Sequence, residues 1–210
     1  MNVDLKTVVI KNNDISYAVE VLKNGGLVGV PTETVYGLAA NGLDASAVAK
    51  IYEVKGRPKV KPLSLLVPSL EVAATVCAEI PEATRILAEA FWPGPLTIIL
   101  PARGNVPHIV TAGGDTIGIR CPDHPLTLEL LRTAGLPAAA PSANVSNMPS
   151  PESSDDVLAY FDGKIDCVID GGICRLGVES TIISLVTEPY KILRQGALPE
   201  ESIRQALGLD

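Results

Sequence analysis

Apolar positions fall into two patterns along the chain: short continuous runs, and stripes that recur at i, i+3, i+4. The runs predict buried strands at Thr7–Ile10, Leu27–Val30, Leu63–Val67 and Pro95–Leu100, with a short extension at Leu38–Ala40. Between the first two, Asn13 or Asp14 is placed to cap a helix through Val19 and Leu22 that stops at Asn24-Gly25-Gly26. Val48, Ile51 and Tyr52 share one helical face and predict a helix from Ala45 to about Lys55, with Asp44 as N-cap and Gly56 as its exit. Pro68-Ser69 opens a helix through Val72 and Val76. Another starts at Pro81 and carries Ile86, Leu87 and Phe91 to Trp92-Pro93-Gly94. After the Gly- and Pro-rich connection Pro101–Asp115, the strand Thr116–Arg120 alternates, so Thr116, Gly118 and Arg120 share a face. Helices follow at Pro125–Thr133, Ser154–Phe161 and Pro199–Leu207, and strands at Ala138–Ala140, Cys167–Asp170, Val178–Leu185 and Tyr190–Arg194. Helices alternate with strands early and strands cluster late. That order predicts one α/β domain over residues 1–210, a twisted mixed parallel and antiparallel sheet flanked by helices.

Composition narrows the picture. At 47% hydrophobic and only 4% aromatic, the core must be filled by aliphatic side chains and alanine. A net charge of −7 argues against bulk electrostatic binding of nucleic acid but leaves room for a local positive cleft. Cys77, Cys121, Cys167 and Cys174 form no CxxC pair and read as buried small hydrophobes. With no apolar run of membrane length and no signal-peptide pattern, the expected location is the cytoplasm, with reduced thiols.

The chemistry concentrates in Gly25–Val67. A turn rich in hydroxyls, Pro31 to Leu38, precedes a loop in which Lys55, Arg57, Lys59 and Lys61 alternate around Pro58 and Pro62. Proline fixes φ and pushes the preceding residue towards extended backbone, so this loop is expected to collect cations on one side, suited to polyphosphate. Neither GxxxxGK[ST], GxGxxG nor HExxH occurs, and His108 and His124 read as surface residues. What remains is a set of hydroxyls, one amide and scattered cations at strand ends and loops. They are Thr32, Thr34 and Tyr36, then Lys55, Arg57 and Lys61, with Thr116, Arg120, Ser142, Asn144, Ser146, Ser150, Ser180, Thr181 and Arg194. Taken singly each has an ordinary structural role, such as turn former or edge charge. Taken together they point to a pocket beyond the strand ends.

The stretches VPTETVYGL, KGRPKVKPLSLLV, FWPGPLTIIL, TIGIRCPDHP, APSANVSNMPSP, GVESTII and ILRQGAL resemble the YrdC-like family of threonylcarbamoyl-AMP synthases from about Leu27 to Leu198. The family's Lys-x-Arg and Ser-x-Asn are matched by Lys55, Arg57, Ser142 and Asn144. The resemblance implies an enzyme that joins L-threonine, bicarbonate and ATP into threonylcarbamoyl-AMP and pyrophosphate. Its product would feed tRNA-modifying transferase proteins, with a weak tRNA contact allowed. It places ATP on Lys55, Arg57, Lys61, Thr116, Ser142, Asn144, Ser150 and Arg194, with Lys55, Arg57 and Lys61 neutralising the triphosphate. It places threonine near Thr32, Thr34, Leu66, Arg120, Ala140 and Ser180. Mg²⁺ would accompany ATP, with no dedicated protein metal site. Leu66, Asn147 and Gln195 depart from residues common in the family. Two rival readings are an RNA-binding module without turnover and a carbamoyl-adenylate-forming domain.

Overall fold

A computed structural model describes residues 6–11 and 14–209. The first apolar run is strand β1 (Val8–Ile10), followed by helix α1 (Ser16–Lys23). The expected cap is displaced. Ile15 occupies the cap position without a side-chain bond, while Asp14 Oδ1 accepts from Ser16 N at 3.0 Å. Asn13, the other candidate, lies outside the described residues. Strand β2 (Val28–Val30) pairs antiparallel with β3 (Gly37–Asn41). Helix α2 (Ala45–Lys55) has the bounds its pattern predicts. Asp44 accepts from Ser46 N and Ala47 N, and Gly56 leaves the helix at φ 59°, where a side chain would be strained.

Strand β4 (Ser64–Leu66) leads to α3 (Leu70–Ala73), which stops well short of Val76. The chain turns there because Cys77 bridges to Ala102 and Ala78 N bonds Pro101 O at 2.9 Å. Helix α4 (Glu82–Phe91) buries Leu87 and leaves Ile86 exposed. The remaining elements are β5 (Leu96–Pro101), β6 (Thr116–Arg120), α5 (Pro125–Ala134), β7 (Ala138–Ala139), α6 (Ser154–Phe161), β8 (Cys167–Ile169), β9 (Thr181–Ser184), β10 (Lys191–Arg194) and α7 (Glu200–Ala206). β9 starts later than Val178, the predicted position.

The described strands form one sheet in the order β1-β8-β2-β3-β7-β4-β6-β5-β9-β10. It is mixed: β1/β8, β2/β8, β4/β6 and β5/β9 are parallel, and β2/β3, β3/β7, β4/β7, β5/β6 and β9/β10 antiparallel. Successive strand residues point to opposite faces, and the core divides accordingly. Leu38, Leu65, Ile98, Ile119 and Ile183 pack with Val48 and Ile51 of α2, Leu87 of α4, Phe161 of α6 and Ile203 of α7. Val28, Val30, Ala39 and Leu66 pack on the other face with Val19 and Leu22 of α1 and Leu130 and Leu131 of α5. Helices α1 and α5 thus cover that second face over the β1–β7 half. Over β4, β6, β5 and β9 the same face floors a cavity.

Candidate active site

The cavity, about 210 Å³, rests on Ser64 and Leu66 of β4, Arg120 of β6, Thr97 of β5, and Ser180 and Ile182 at β9. Register explains the grouping: Leu66 pairs with Arg120 and Thr97 with Ile182, so these side chains rise from one face of neighbouring strands. The site therefore lies over a face of the sheet rather than beyond its strand ends as expected. Thr116, on the same face of β6, stands four residues before Arg120, ~13 Å away along the strand, and does not line the cavity.

The back wall is a buried polar network. In the turn before β3, Thr32 Oγ1 lies 2.8 Å from Thr34 Oγ1, donates to Val35 O at 2.6 Å and accepts from Val35 N. Arg120 donates from Nε to Gly94 O (3.2 Å) and from Nη2 to both Glu33 Oε1 (2.8 Å) and Thr34 Oγ1 (2.9 Å). Glu33 is fixed in turn, its Oε2 accepting from Asp123 N at 3.0 Å. These bonds leave Nη1 as the guanidinium nitrogen available to a ligand. Thr97 Oγ1 sits 2.9 Å from Ser180 Oγ and holds that hydroxyl over the floor. Leu66 and Ala140 supply apolar lining beside them. Glu33 and Thr97 were missed by the sequence reading, although Glu33 is the lone acid in a run of buried hydroxyls, and a buried Arg120 demands a counter-charge.

The basic loop differs most from expectation. It does not run extended: Lys61 N bonds Pro58 O at 3.0 Å, closing a turn that leaves Lys59, Val60 and Lys61 exposed. Lys55 goes the other way. It is 1% exposed and sits behind the cavity wall, its Nζ donating to Ser142 O (2.5 Å), Asn144 O (2.5 Å) and Asn144 Oδ1 (3.4 Å). Burial pulls its ammonium down to about 8, with the Arg57 charge adding to the shift. Of the four loop cations, Arg57 alone lines the cavity, and it donates back to Lys61 O and Pro62 O. Lys55 instead fixes the Ser142–Asn144 loop, where Ser142 Oγ donates to Asn144 Oδ1 at 2.6 Å and Asn144 Nδ2 to Met148 O at 2.6 Å. Ser142 reaches the cavity, whereas Asn144 stays buried behind it.

At the mouth, Arg194 donates from Nε and Nη2 to Ser180 O (3.1 and 2.9 Å) and pairs through Nη1 with Glu179. Ser150 Oγ donates to Glu179 Oε1 at 3.1 Å from a neighbouring cavity. Gly196 makes this possible. A Cβ there would lie 2.2 Å from Glu179 O and 2.5 Å from Ser180 O, so only glycine lets the segment leaving β10 pass so close to residues 179–180. Of three guanidiniums in the cleft, Arg120 and Arg194 are each paired with a carboxylate.

His124 is half-buried rather than a surface residue. It lines a separate cavity behind the turn with Glu33, Asp123 and Arg175, its Nδ1 has no partner, and burial lowers its pKa. His108 is exposed, as expected. All four thiols are free and buried, and burial raises Cys77, Cys121 and Cys174 to about 11 and Cys167 to about 12. No described helix is long and apolar enough to cross a membrane. No group of three or more metal-ligating side chains occurs among the described residues.

Residues 20–196 match the Sua5_yciO_yrdC family, described as "Telomere recombination". The chain is 48% identical over 92% of its length to the threonylcarbamoyl-AMP synthase of Pyrococcus abyssi and 43% identical over 95% to that of Bacillus subtilis. It spans 57% and 58% of the length of those two relatives. The crystal structure of Pyrococcus abyssi Sua5 complexed with L-threonine superposes at a TM-score of 0.93 with 46% identity, covering 96% of this chain and 61% of that one.

Proposed function

We propose, from the premise that this chain belongs to the Sua5/YciO/YrdC family, that it forms threonylcarbamoyl-AMP and pyrophosphate from L-threonine, bicarbonate and ATP. The observation that carries this reading is Arg120. It is buried in the cavity wall, anchored through Nε and Nη2, and has Nη1 left for a carboxylate. The amino acid lies in the inner cavity, its carboxylate on Arg120 and its hydroxyl or ammonium among Thr32, Thr34, Ser180 and the Ala140 backbone. ATP enters from the mouth, where Arg57, Ser142, Ser150 and Arg194 meet its phosphates, with Lys61 and Thr116 further out. Lys55 and Asn144 act from behind, by holding the loop that presents Ser142.

The amine of threonine adds to bicarbonate-derived CO₂ and loses a proton, giving a carbamate. A carbamate oxygen then attacks the α-phosphorus, and pyrophosphate leaves. The protein's part is to align the reactants and neutralise charge on the leaving phosphates. No enzyme-bound intermediate is needed, and thiols held at about 11 to 12 are unsuited to forming one. Mg²⁺ arrives with ATP and keeps most of its waters. Among the described residues Glu179 is the single carboxylate lining the cleft and is already paired with Arg194, which fits an ion carried by the nucleotide. The product would pass to tRNA-modifying transferases in the cytoplasm.

A pyrophosphate-release assay with ATP, bicarbonate and each amino acid in turn tests this. Release that requires threonine supports it. Release with carbamoyl phosphate and no amino acid would favour a carbamoyl-adenylate former instead. Salt-dependent tRNA binding without turnover would favour an RNA-binding module.

A further inference from the structure

Glu179 is the only carboxylate among the described residues lining the cleft, and both its oxygens are taken. Oε1 accepts from Ser150 Oγ, and Oε2 is paired with Arg194 Nη1. Those two donors come from different segments, the 149–153 loop and β10, and both belong to the set proposed to hold the nucleotide. We infer that Glu179 is a resident counter-anion. It takes the donors that a phosphate group would use and yields Arg194 and Ser150 when polyphosphate enters. This rests on the nucleotide reading above.

The geometry supports an exchange of partners rather than a fixed ion pair. The side chains of Arg194 and Glu179 are 40% and 39% exposed, so water reaches both and the pair separates at little cost. Arg194 keeps its place while it swaps, because Nε and Nη2 remain on Ser180 O. Glu179 cannot drift away, because its carbonyl accepts from Ala197 N at 2.9 Å and lies against Gly196. Only its side chain is free to turn. Its negative charge therefore stays beside bound phosphates and opposes them, which loosens the nucleotide and speeds the departure of pyrophosphate.

Calorimetric titration of the whole chain with pyrophosphate, and with a non-hydrolysable ATP analogue, tests this with and without Mg²⁺. Glu179→Gln keeps the shape and removes the charge. It is expected to bind pyrophosphate roughly fivefold tighter, with threonine affinity unchanged. Unchanged or weaker pyrophosphate binding by the variant overturns the proposal. Weakening confined to Mg²⁺ also overturns it, since that would make Glu179 a metal ligand. Should the variant fail to fold, a crystal structure of the wild-type chain with pyrophosphate decides. Arg194 Nη1 on phosphate and parted from Glu179 supports the exchange, and an intact pair beside bound pyrophosphate overturns it. If the wild type binds neither pyrophosphate nor nucleotide, the nucleotide reading itself fails. If it binds both and Glu179→Gln binds them equally, only the counter-anion fails.

Discussion

Two arginine–carboxylate pairs bound one cleft under opposite conditions, one behind its wall and one at its mouth. Arg120 and Glu33 are 9% and 2% exposed at the side chain, and every bond around them runs to backbone or to another buried group. Arg194 and Glu179 are about 40% exposed and meet at the mouth. A buried pair gains strongly from its attraction only because desolvation has already been incurred, so neither partner can leave alone. A half-exposed pair has water as a ready substitute. The same chemistry thus makes a rigid wall in one place and an exchangeable contact in the other, which is what the proposed reaction asks of a site that must fix an amino acid yet admit and release a polyanion.

The largest effect should come from breaking the wall. Glu33→Ala leaves the Arg120 guanidinium buried without its counter-charge and should lower unfolding stability by about 3–5 kcal/mol, read from urea midpoints. Glu179→Ala should cost at most about 1 kcal/mol in the same assay. Comparable losses in the two variants would erase the distinction between wall and mouth.

Lys55 comes next, and pH is the sharper probe because it acts on the buried charge itself. Its folded ammonium sits at about 8 against an ordinary 10.5. Below pH 8 folded and unfolded chains are both protonated, so the cost of burying the charge is fully present. Between pH 8 and 10.5 the unfolded chain binds more protons, and stability rises. Wild type measured against Lys55→Met should therefore gain up to ~3 kcal/mol across that window. The thiols, raised by burial to about 11 or 12, ionise first in the unfolded chain and pull both proteins down alike above pH 9. The difference between the two proteins is thus the measurement, and a flat difference would show that Lys55 is not held as a buried cation.

Arg57 separates turnover from stability. It lines the cavity, donates to the Lys61 and Pro62 carbonyls, and otherwise meets the Tyr52 hydroxyl. Arg57→Ala should cut threonine-dependent pyrophosphate release roughly tenfold or more, one charge-assisted contact being worth ~1.5–3 kcal/mol. Its melting curve should stay close to that of wild type. An equal fall in stability would move Arg57 from the mouth to the wall.

What the chain discloses by local pattern survives in detail. The helices Ala45–Lys55 and Ser154–Phe161 and the strand Thr116–Arg120 were legible to the residue, because caps and periodicity act within a few positions. The helix expected through Val76 failed because a distant bridge from Cys77 to Ala102 turns the chain first. The same distinction runs through the site. Motif resemblance found Arg120, Ser142 and Arg194, but Glu33 meets Arg120 across 87 residues and Thr97 meets Ser180 across 83, separations at which no local spacing carries information. The direction of Lys55 was misread for a related reason. Alternation along a strand assigns sides, but Lys55 ends a helix and the residues after it close a turn.

Lys61 is the smallest and cleanest test, because it shares a loop with Lys55 and differs from it in burial alone as far as charge is concerned. Its side chain is exposed and lies outside the cavity lining. Lys61→Ala should leave stability unchanged, since surface substitutions away from caps and buried pairs rarely matter. On the proposed reading its part is long-range attraction for a polyanion, which salt screens over ~10 Å at 0.1 M. KM for ATP should therefore rise a fewfold at low ionic strength and converge on the wild-type value as salt is added, with KM for threonine unmoved. A KM defect that persists undiminished in high salt would mean that Lys61 closes onto the nucleotide directly, and the mouth would then extend over the whole 58–62 turn.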